Sequence, residues 1–271
     1  MKETVIGFIG AGNMASSIVR GLIEAGKKPS SIFVTDIDQS KLETLTDETS
    51  IKPATTTEVC TFAEVLVLAV KPQVMKVVCL EIADIRASQL IISVAAGIRT
   101  TQLENWLNSK SAIVRCMPNT PALIGEGATG LFANNLVNNR QKELAQSIMD
   151  AVGLTAWLSN EEDIDTVTAL SGSGPAYFFL LMEAMQEVAQ ELGLEQEVAK
   201  NLVYQTAIGA SQLARNAEDS VVALRKKVTS PGGTTERAVD EFEAGNLRGL
   251  VRNALIAAKD RSLELSEDFS N

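Results

Sequence analysis

The feature that most constrains the fold is a glycine-rich turn that joins a strand pattern to a helix pattern near the N-terminus. Residues 4–10, TVIGFIG, form an apolar run rich in β-formers, and apolar residues then recur at helical spacing over 14–25. Between the two patterns, Gly10, Gly12 and Ala15 match the spacing GxGxxA. A strand, a tight glycine turn and a helix in this order predict the first unit of a doubly wound α/β fold.

Strand and helix patterns continue to alternate through the first part of the chain. Apolar runs that lack polar alternation occur at 65–70, 90–95 and 112–117, and shorter strand or helix patterns occur at 32–35, 40–45, 140–152 and 154–158. Such runs are typical of parallel strands that helices cover on both faces. We therefore predict a Rossmann-type domain with a parallel sheet over residues 1–161.

The rest of the chain has a different pattern. Long helical repeats without strand signals occupy 177–192, 195–215, 235–244 and 247–267. We predict an all-helical domain over residues 162–271, beginning at the acidic run NEED. Apolar residues follow one another at Phe178, Phe179, Leu180 and Leu181, so they lie on more than one face of their helix. One helical layer cannot bury them all, and we expect a homodimer at minimum, with assembly beyond the dimer left open.

Composition excludes several classes of function. The chain has 24 Lys and Arg against 34 Asp and Glu, a net charge of −10, which disfavours nucleic acid and anionic membranes as partners. There is no histidine, so the usual serine triad and histidine-ligated metals are excluded. Cys60, Cys79 and Cys116 lack CxxC spacing, which predicts neither a disulfide framework nor a metal site. With no signal or membrane-spanning pattern, we predict a cytoplasmic protein.

The glycine turn predicts a site for a dinucleotide. The candidate cofactor contacts here are Gly10, Ala11, Gly12, Asn13 and Met14. Gly10 permits the tight turn, Gly12 lets the backbone approach a pyrophosphate, and the helix N-terminus offers free N–H groups to the anion. The alternative is a glycine turn that binds no ligand.

Asp36 follows the second strand pattern, where a carboxylate can accept hydrogen bonds from an adenosine ribose. It would repel a 2′-phosphate, and the next residue is Ile37 rather than an arginine. On this interpretation NADH fits better than NADPH. The alternative is that Asp36 caps the following helix or faces solvent.

Further candidate cofactor residues follow three of the buried strand patterns. Ligands of open α/β sheets lie outside the carboxyl ends of the strands. The candidates are Val70, Lys71 and Pro72 after the first of these strands, Ala96 and Gly97 after the second, and Asn119 after the third. Each of these segments alone is also consistent with ordinary loop chemistry.

Two glycine-containing segments of the second part precede helix patterns. SGSGP contains Ser173, and its alternative interpretation is a simple helix start. SPGGTT, at 230–235, combines successive backbone N–H groups with hydroxyls, which predicts an anion-binding turn. The alternative is a glycine turn that only connects two helices.

The segments GFIGAGNM, AVKPQ, SVAAGI, RCMPNTPALIGEGAT, LSGSGPAY and VTSPGGTT occur in this order and carry a family resemblance. Over nearly its whole length the chain resembles pyrroline-5-carboxylate reductases, which catalyse the last step of proline biosynthesis. The resemblance implies NADPH or NADH as cofactor, with NADPH the usual family preference, and a helical domain that dimerises. It implies a cofactor contact at Thr56, where some family members have an asparagine.

The resemblance also implies where the cyclic imino acid binds. The substrate carboxylate would contact Gly232, Gly233, Thr234 and Thr235, in a site completed at the dimer interface. Thr235 matches the threonine that hydrogen-bonds the ring nitrogen and is the candidate catalytic residue. Ser230 and Ser173 complete the candidate substrate contacts.

Two other functions are compatible with this domain plan. One is a β-hydroxyacid-type dehydrogenase, which uses a lysine on the helix after an SGSGP-like loop. Residues 175–192 contain neither lysine nor arginine, which argues against that chemistry. The other is a dinucleotide-binding protein without turnover.

Overall fold

The computed structural model describes residues 3–82, 89–107 and 110–269. The chain packs as two compact units, one formed by residues 1–175 together with 257–271 and the other by residues 176–256. The units therefore divide at 175/176, later than the sequence boundary expected at 161/162. The reason is local: Ile164 and Asp165 lie on a short helix that packs against two strands of the first unit and are both buried there.

The first unit is built on one twisted sheet. Its strands among the described residues are β1 (Ile6–Ile9), β2 (Ile32–Thr35), β3 (Lys52–Pro53), β4 (Val65–Leu68), β5 (Leu90–Ser93), β6 (Ala112–Met117), β7 (Gly127–Ala133) and β8 (Gly153–Trp157). They are ordered β3-β2-β1-β4-β5-β6-β7-β8. The order reverses between β1 and β4, which is the switch point where a doubly wound sheet binds its ligand. The predicted Rossmann-type architecture is confirmed.

Helices cover both faces of this sheet. They are α1 (Asn13–Glu24), α2 (Gln39–Thr49), α3 (Thr56–Phe62), α4 (Pro72–Glu81), α5 (Thr100–Trp106), α6 (Asn139–Asp150) and α7 (Asp163–Val167). Successive residues of a strand pack into different hydrophobic clusters, one on each face of the sheet. Phe8 and Val67 belong to one cluster, and Ile9 and Leu68 belong to the other. This two-sided burial explains the continuous apolar runs of the sequence.

The sheet is mixed rather than wholly parallel. β7 runs antiparallel to β6, whereas the other neighbouring strands are parallel. β7, with the sequence GATGLFA, was not predicted from the sequence because glycine is a poor strand former. Its Gly130 has a packing role, since a Cβ there would lie 2.9 Å from a methyl group of Val167 on α7. The glycine lets that helix approach the sheet.

The second unit is helical, as predicted. It contains most of α8 (Gly174–Glu191), then α9 (Gln196–Asn216), α10 (Val221–Lys227), α11 (Thr234–Ala244) and the first part of α12 (Leu247–Asp268). Within the described ranges, none of the helices is long and apolar enough to cross a bilayer. In the same ranges, no cluster of ligating side chains could hold a metal ion.

The last turns of α12 belong to the first unit. Ser262 Oγ donates to Asp165 Oδ1 at 2.7 Å, and both residues are buried. Asp165 also pairs with Arg99 at 3.3 Å, while the buried Arg115 pairs with Glu161 at 3.3 Å. Burial lowers the pKa of the Arg115 guanidinium, and the nearby carboxylates oppose this shift. The chain thus returns to the sheet domain at its C-terminal end.

Candidate active site

The glycine turn has the geometry that a dinucleotide phosphate requires. Gly10 has a φ of +103°, and a Cβ there would lie 2.6 Å from the carbonyl oxygen of Ala69. Gly12 is the N-cap of α1, and a Cβ on it would meet nothing within 4 Å. Open space therefore lies beside the helix N-terminus, next to the N–H groups of Asn13 and Met14. The residues present fit a pyrophosphate.

A cavity of about 770 Å³ opens next to this turn. Of the predicted cofactor residues, it is lined by Gly10, Asp36, Thr56 and Val70. Its walls come from the ends of β1, β2 and β4 and from α3 and α4, so it lies at the switch point of the sheet. Its size and position suit the adenosine half of a dinucleotide.

The ionisable groups that line this cavity are Asp36, Glu58 and Glu81, all acidic. The Glu58 carboxylate accepts a 2.8 Å hydrogen bond from the backbone N–H of Thr55, which lowers the pKa of Glu58. Among the described lining residues there is no lysine or arginine. From these charges we expect the cavity to accept a neutral ribose more readily than a ribose phosphate.

Asp36 is held by the backbone on both sides. Its Oδ2 accepts from the N–H of Ala11 at 2.6 Å, and its Oδ1 accepts from the N–H of Asp38 at 2.8 Å. The helix-capping role that remained open for Asp36 belongs instead to Asp38, whose side chain accepts from the N–H of Ser40. Asp36 thus links β2 to the glycine turn.

The remaining predicted cofactor residues follow the neighbouring strands of the same sheet edge. Lys71 is the exposed N-cap of α4, and Pro72 is its first residue. Ala96 and Gly97 follow β5, where Gly97 has a φ of +75°. A Cβ on Gly97 would lie 3.3 Å from the ring of Phe269, so the end of the chain supports this loop.

Asn119 follows β6 and is buried. Its Nδ2 donates to the carbonyl oxygen of Ser171 at 3.0 Å, and its Oδ1 accepts from the N–H of Ala128 at 2.8 Å. The helix start considered above is present, since α8 begins at Gly174 with Pro175 as its second residue. Ser171 precedes this start on a π-helical turn, Thr168–Gly172, that follows α7 directly.

In the second unit, the SPGGTT segment forms a tight turn before α11. Gly232 has a φ of +73°. Two of the successive N–H groups expected to bind an anion already have partners: Gly232 donates to Glu236 Oε2 at 2.7 Å, and Gly233 donates to the carbonyl of Ser230 at 3.0 Å. Reasoning from the sequence missed Glu236, although a Glu in the first turn of a helix is a known capping signal.

The first turn of α11 still offers groups for an anion. Thr234 and Thr235 begin the helix, before its first intrahelical bond, in which Arg237 donates to Gly233. Both threonines are exposed, and across the described ranges neither hydroxyl has a hydrogen-bond partner. An anion here can therefore meet two N–H groups and two hydroxyls.

Comparison with known proteins identifies the family. The model of the pyrroline-5-carboxylate reductase dimerisation domain matches residues 161–265, and that of the coenzyme F420-dependent NADP oxidoreductase domain matches residues 5–97. A pyrroline-5-carboxylate reductase of Pseudomonas aeruginosa is 48% identical over 271 residues, covering 99% of each chain. The chain belongs to the pyrroline-5-carboxylate reductase family.

Solved structures of this family have the same fold. A pyrroline-5-carboxylate reductase from Coxiella burnetii is 50% identical, with a TM-score of 0.94 over 98% of this chain and 99% of that one. The Plasmodium falciparum pyrroline carboxylate reductase, solved with NADP bound, is 30% identical, with a TM-score of 0.87 over 98% and 99% of the chains. The resemblance inferred from the motifs is confirmed.

Proposed function

We propose that this protein reduces L-1-pyrroline-5-carboxylate to L-proline with NADPH or NADH. The observation that carries the proposal is a full-length match to this family in a chain whose dinucleotide turn and cavity are intact. Neither alternative, the β-hydroxyacid dehydrogenase or the binding protein without turnover, gains support from any of these observations.

The reaction suits a chain without histidine. The reduced nicotinamide supplies a hydride to the imine carbon, the C=N double bond becomes a single bond, and the nitrogen retains the proton of the iminium form. A protonated imine is already electrophilic, so the protein contributes mainly position and electrostatics. We expect the N–H groups and hydroxyls of Thr234 and Thr235 to hold the carboxylate. The Thr235 hydroxyl would face the ring nitrogen, with Ser173 and Ser230 as further contacts.

The cofactor site supports use of NADH at least as readily as NADPH. A 2′-phosphate would enter a cavity whose ionisable groups are carboxylates, and Asp36 is held there by two backbone N–H groups. A ribose with a free 2′-hydroxyl can instead donate to that carboxylate. We therefore expect NADH to be used at least comparably to NADPH.

We also propose a homodimer whose second chain completes the substrate site. In the second unit, the side chains of Phe178, Phe179 and Leu180 are each more than 60% exposed on α8. Exposed aromatic and aliphatic surface of this kind is typical of an interface. The cytoplasm is the proposed compartment, which the free thiols of Cys60, Cys79 and Cys116 support.

The decisive experiment incubates the purified protein with pyrroline-5-carboxylate and either NADH or NADPH while the absorbance of the reduced nicotinamide is followed. We expect substrate-dependent oxidation of the cofactor with formation of proline. The control replaces the imino acid with β-hydroxyacids and NAD⁺. Turnover of the hydroxyacid, or cofactor binding without any turnover, would replace this proposal by one of the two alternatives.

A further inference from the structure

The π-helical turn before α8 contains a carbonyl that has no α-helical donor. In an α-helix, the carbonyl of Ser171 would accept from the N–H of residue 175, but residue 175 is a proline and has no N–H. The N–H of Ser173 donates to the carbonyl of Thr168, five residues earlier, at 2.8 Å, which is the hydrogen-bond spacing of a π-helix. The Asn119 side chain fills the vacant role, donating to the Ser171 carbonyl at 3.0 Å.

The other half of the Asn119 amide is fixed just as firmly. Its oxygen accepts from the N–H of Ala128 at the start of β7. Because a backbone N–H only donates and a carbonyl only accepts, these two partners define which end of the amide is which. Asn119 is 9% exposed. One buried side chain therefore joins the segment after β6, the first residues of β7 and the π-helical turn.

The turn that Asn119 holds is packed tightly against the same strand end. A Cβ on Gly172 would lie 2.5 Å from Met117 Cε, the end of a flexible side chain, so the turn lies close to Met117 at the end of β6. The next residue, Ser173, is partly exposed, and its hydroxyl has no hydrogen-bond partner among residues 3–82, 89–107 and 110–269. π-helical turns of this kind are frequent at functional sites.

We propose that Asn119 is a positioning residue of the reductase: its amide replaces the N–H that Pro175 lacks and so fixes the turn that presents Ser173 to the substrate. The inference rests on the proposed function. It also gives the Asn119 side chain a structural partner on each side, while the direct cofactor contact expected from the sequence stays a prediction.

The variant Asn119→Asp tests this role through pH. A protonated aspartic acid can donate to the Ser171 carbonyl and accept from Ala128, as asparagine does, whereas an ionised carboxylate can only accept. We expect kcat/KM for the imino acid to fall by about tenfold or more relative to wild type at about pH 8. As the pH falls to about 5, the ratio of variant to wild type should rise towards one, because burial next to a carbonyl raises the pKa of the introduced acid. The dissociation constant of the cofactor should stay unchanged.

Asn134 offers a control near the start of β6. It is also 9% exposed, its Oδ1 accepts from the N–H of Ile113, and its Nδ2 donates to the carbonyl of Ser111 and, unlike that of Asn119, to a carboxylate, Glu104 Oε1. We expect Asn134→Asp to lower the melting temperature but to leave kcat/KM of the folded enzyme, and its pH profile, like those of wild type. An equal loss of activity in Asn134→Asp would mean that Asn119 matters only for general stability.

Replacing Pro175 supplies a second, independent test. Pro175→Ala returns an N–H to the helix, so in the Asn119→Asp background it should recover at least about threefold in kcat/KM at pH 8. If Asn119→Asp alone does not fold, the proposal requires the double variant to fold and turn over. Wild-type kinetics in Asn119→Asp, activity that stays low on acidification, or a double variant without recovery would overturn the inference. An inactive wild type would instead overturn the proposed function.

Discussion

The Asp36 carboxylate accepts a 2.6 Å hydrogen bond from the backbone N–H of Ala11. This bond places a negative charge from the end of β2 directly on the turn that begins α1. The second oxygen is held by Asp38, so the carboxylate has a defined orientation at the edge of the 770 Å³ cavity. A group held on both sides cannot turn aside without breaking a hydrogen bond, so we expect it to contribute to cofactor selection.

Asp36→Ser should move cofactor preference towards NADPH. Removing the charge ends its repulsion of a 2′-phosphate, and we expect the ratio of kcat/KM for NADPH to that for NADH to rise about tenfold or more. Initial rates with each cofactor at saturating imino acid measure this ratio. Glu81→Gln, which removes another carboxylate from the cavity lining, is the control and should change it less. A wild type that binds NADPH a hundredfold more tightly than NADH would contradict the role given to Asp36.

Thr235→Val tests the hydroxyl assigned to the ring nitrogen. The substitution keeps the side-chain shape and removes one hydrogen-bond group, so kcat/KM for the imino acid should fall by about tenfold or more. Cofactor affinity should hardly change, because the dinucleotide cavity lies in the first unit. Steady-state kinetics and a cofactor titration measure the two effects. Unchanged kinetics would remove Thr235 from the reaction, and loss of the dimer would point to a structural hydroxyl.

Glu236→Gln should lower KM for the imino acid. The Glu236 carboxylate accepts from the N–H of Gly232 in the turn proposed to bind the substrate carboxylate, so we expect it to compete with that carboxylate and to repel it. The amide oxygen of glutamine can keep the hydrogen bond without the charge, and we expect KM to fall by about two- to fivefold with little change in kcat. A raised KM would show that Glu236 helps to form the site.

Leu180→Lys should weaken the dimer. Leu180 is 66% exposed on α8, where a partner chain would bury it, and a buried lysine would be left without a counter-charge. Sedimentation velocity across a range of concentrations should show dissociation together with loss of activity. Leu154→Lys is the matched control, since Leu154 is 71% exposed on the edge strand β8 of the first unit. A stable, active wild-type monomer would refute the dimer.

The three thiols should react slowly in the folded protein. Burial raises the pKa of Cys60 and Cys116 and raises that of Cys79 to about 12, so little thiolate is present at neutral pH. For Cys79 the folded pKa lies above the reference value of 9.0, so its contribution to stability is complete below pH 9 and is lost as the pH rises towards 12. Titration with a disulfide reagent at pH 8 should label Cys60 first and all three only after unfolding. Rapid labelling in Cys60→Ser would contradict this burial.

The sequence predicted the elements whose pattern is local. β6 lies where its apolar run predicted it, because two-sided burial leaves a continuous signature in the chain, and β2 lies at the short strand pattern of 32–35. β7 could not be found in this way, because its glycine content hides the strand pattern. Gly130 is needed there for the close packing of α7 against the strand, which depends on another part of the chain. α10 is short and carries three basic residues in its last turn, so its apolar period is weak.

The same division holds for the site. The positions of Asp36 and Thr235 follow from motifs, whereas their surroundings depend on residues far away in sequence. The N–H that Pro175 lacks is visible in the sequence, but the group that replaces it, Asn119, is brought there only by the fold. Similarly, a carboxylate at 236 is evident, while its bond to Gly232 depends on the shape of the turn.

The hydrogen bond between Ser262 and Asp165 has a consequence for synthesis on the ribosome. Domains usually fold as they emerge, the N-terminal one first. Here the sheet domain includes the last turns of the chain, and Phe269 supports Gly97 in one of the predicted cofactor loops. While α12 is still inside the exit tunnel, Asp165 lacks its serine partner and the Gly97 loop lacks its aromatic support. The first domain to be translated is therefore completed only after the helical unit has left the ribosome.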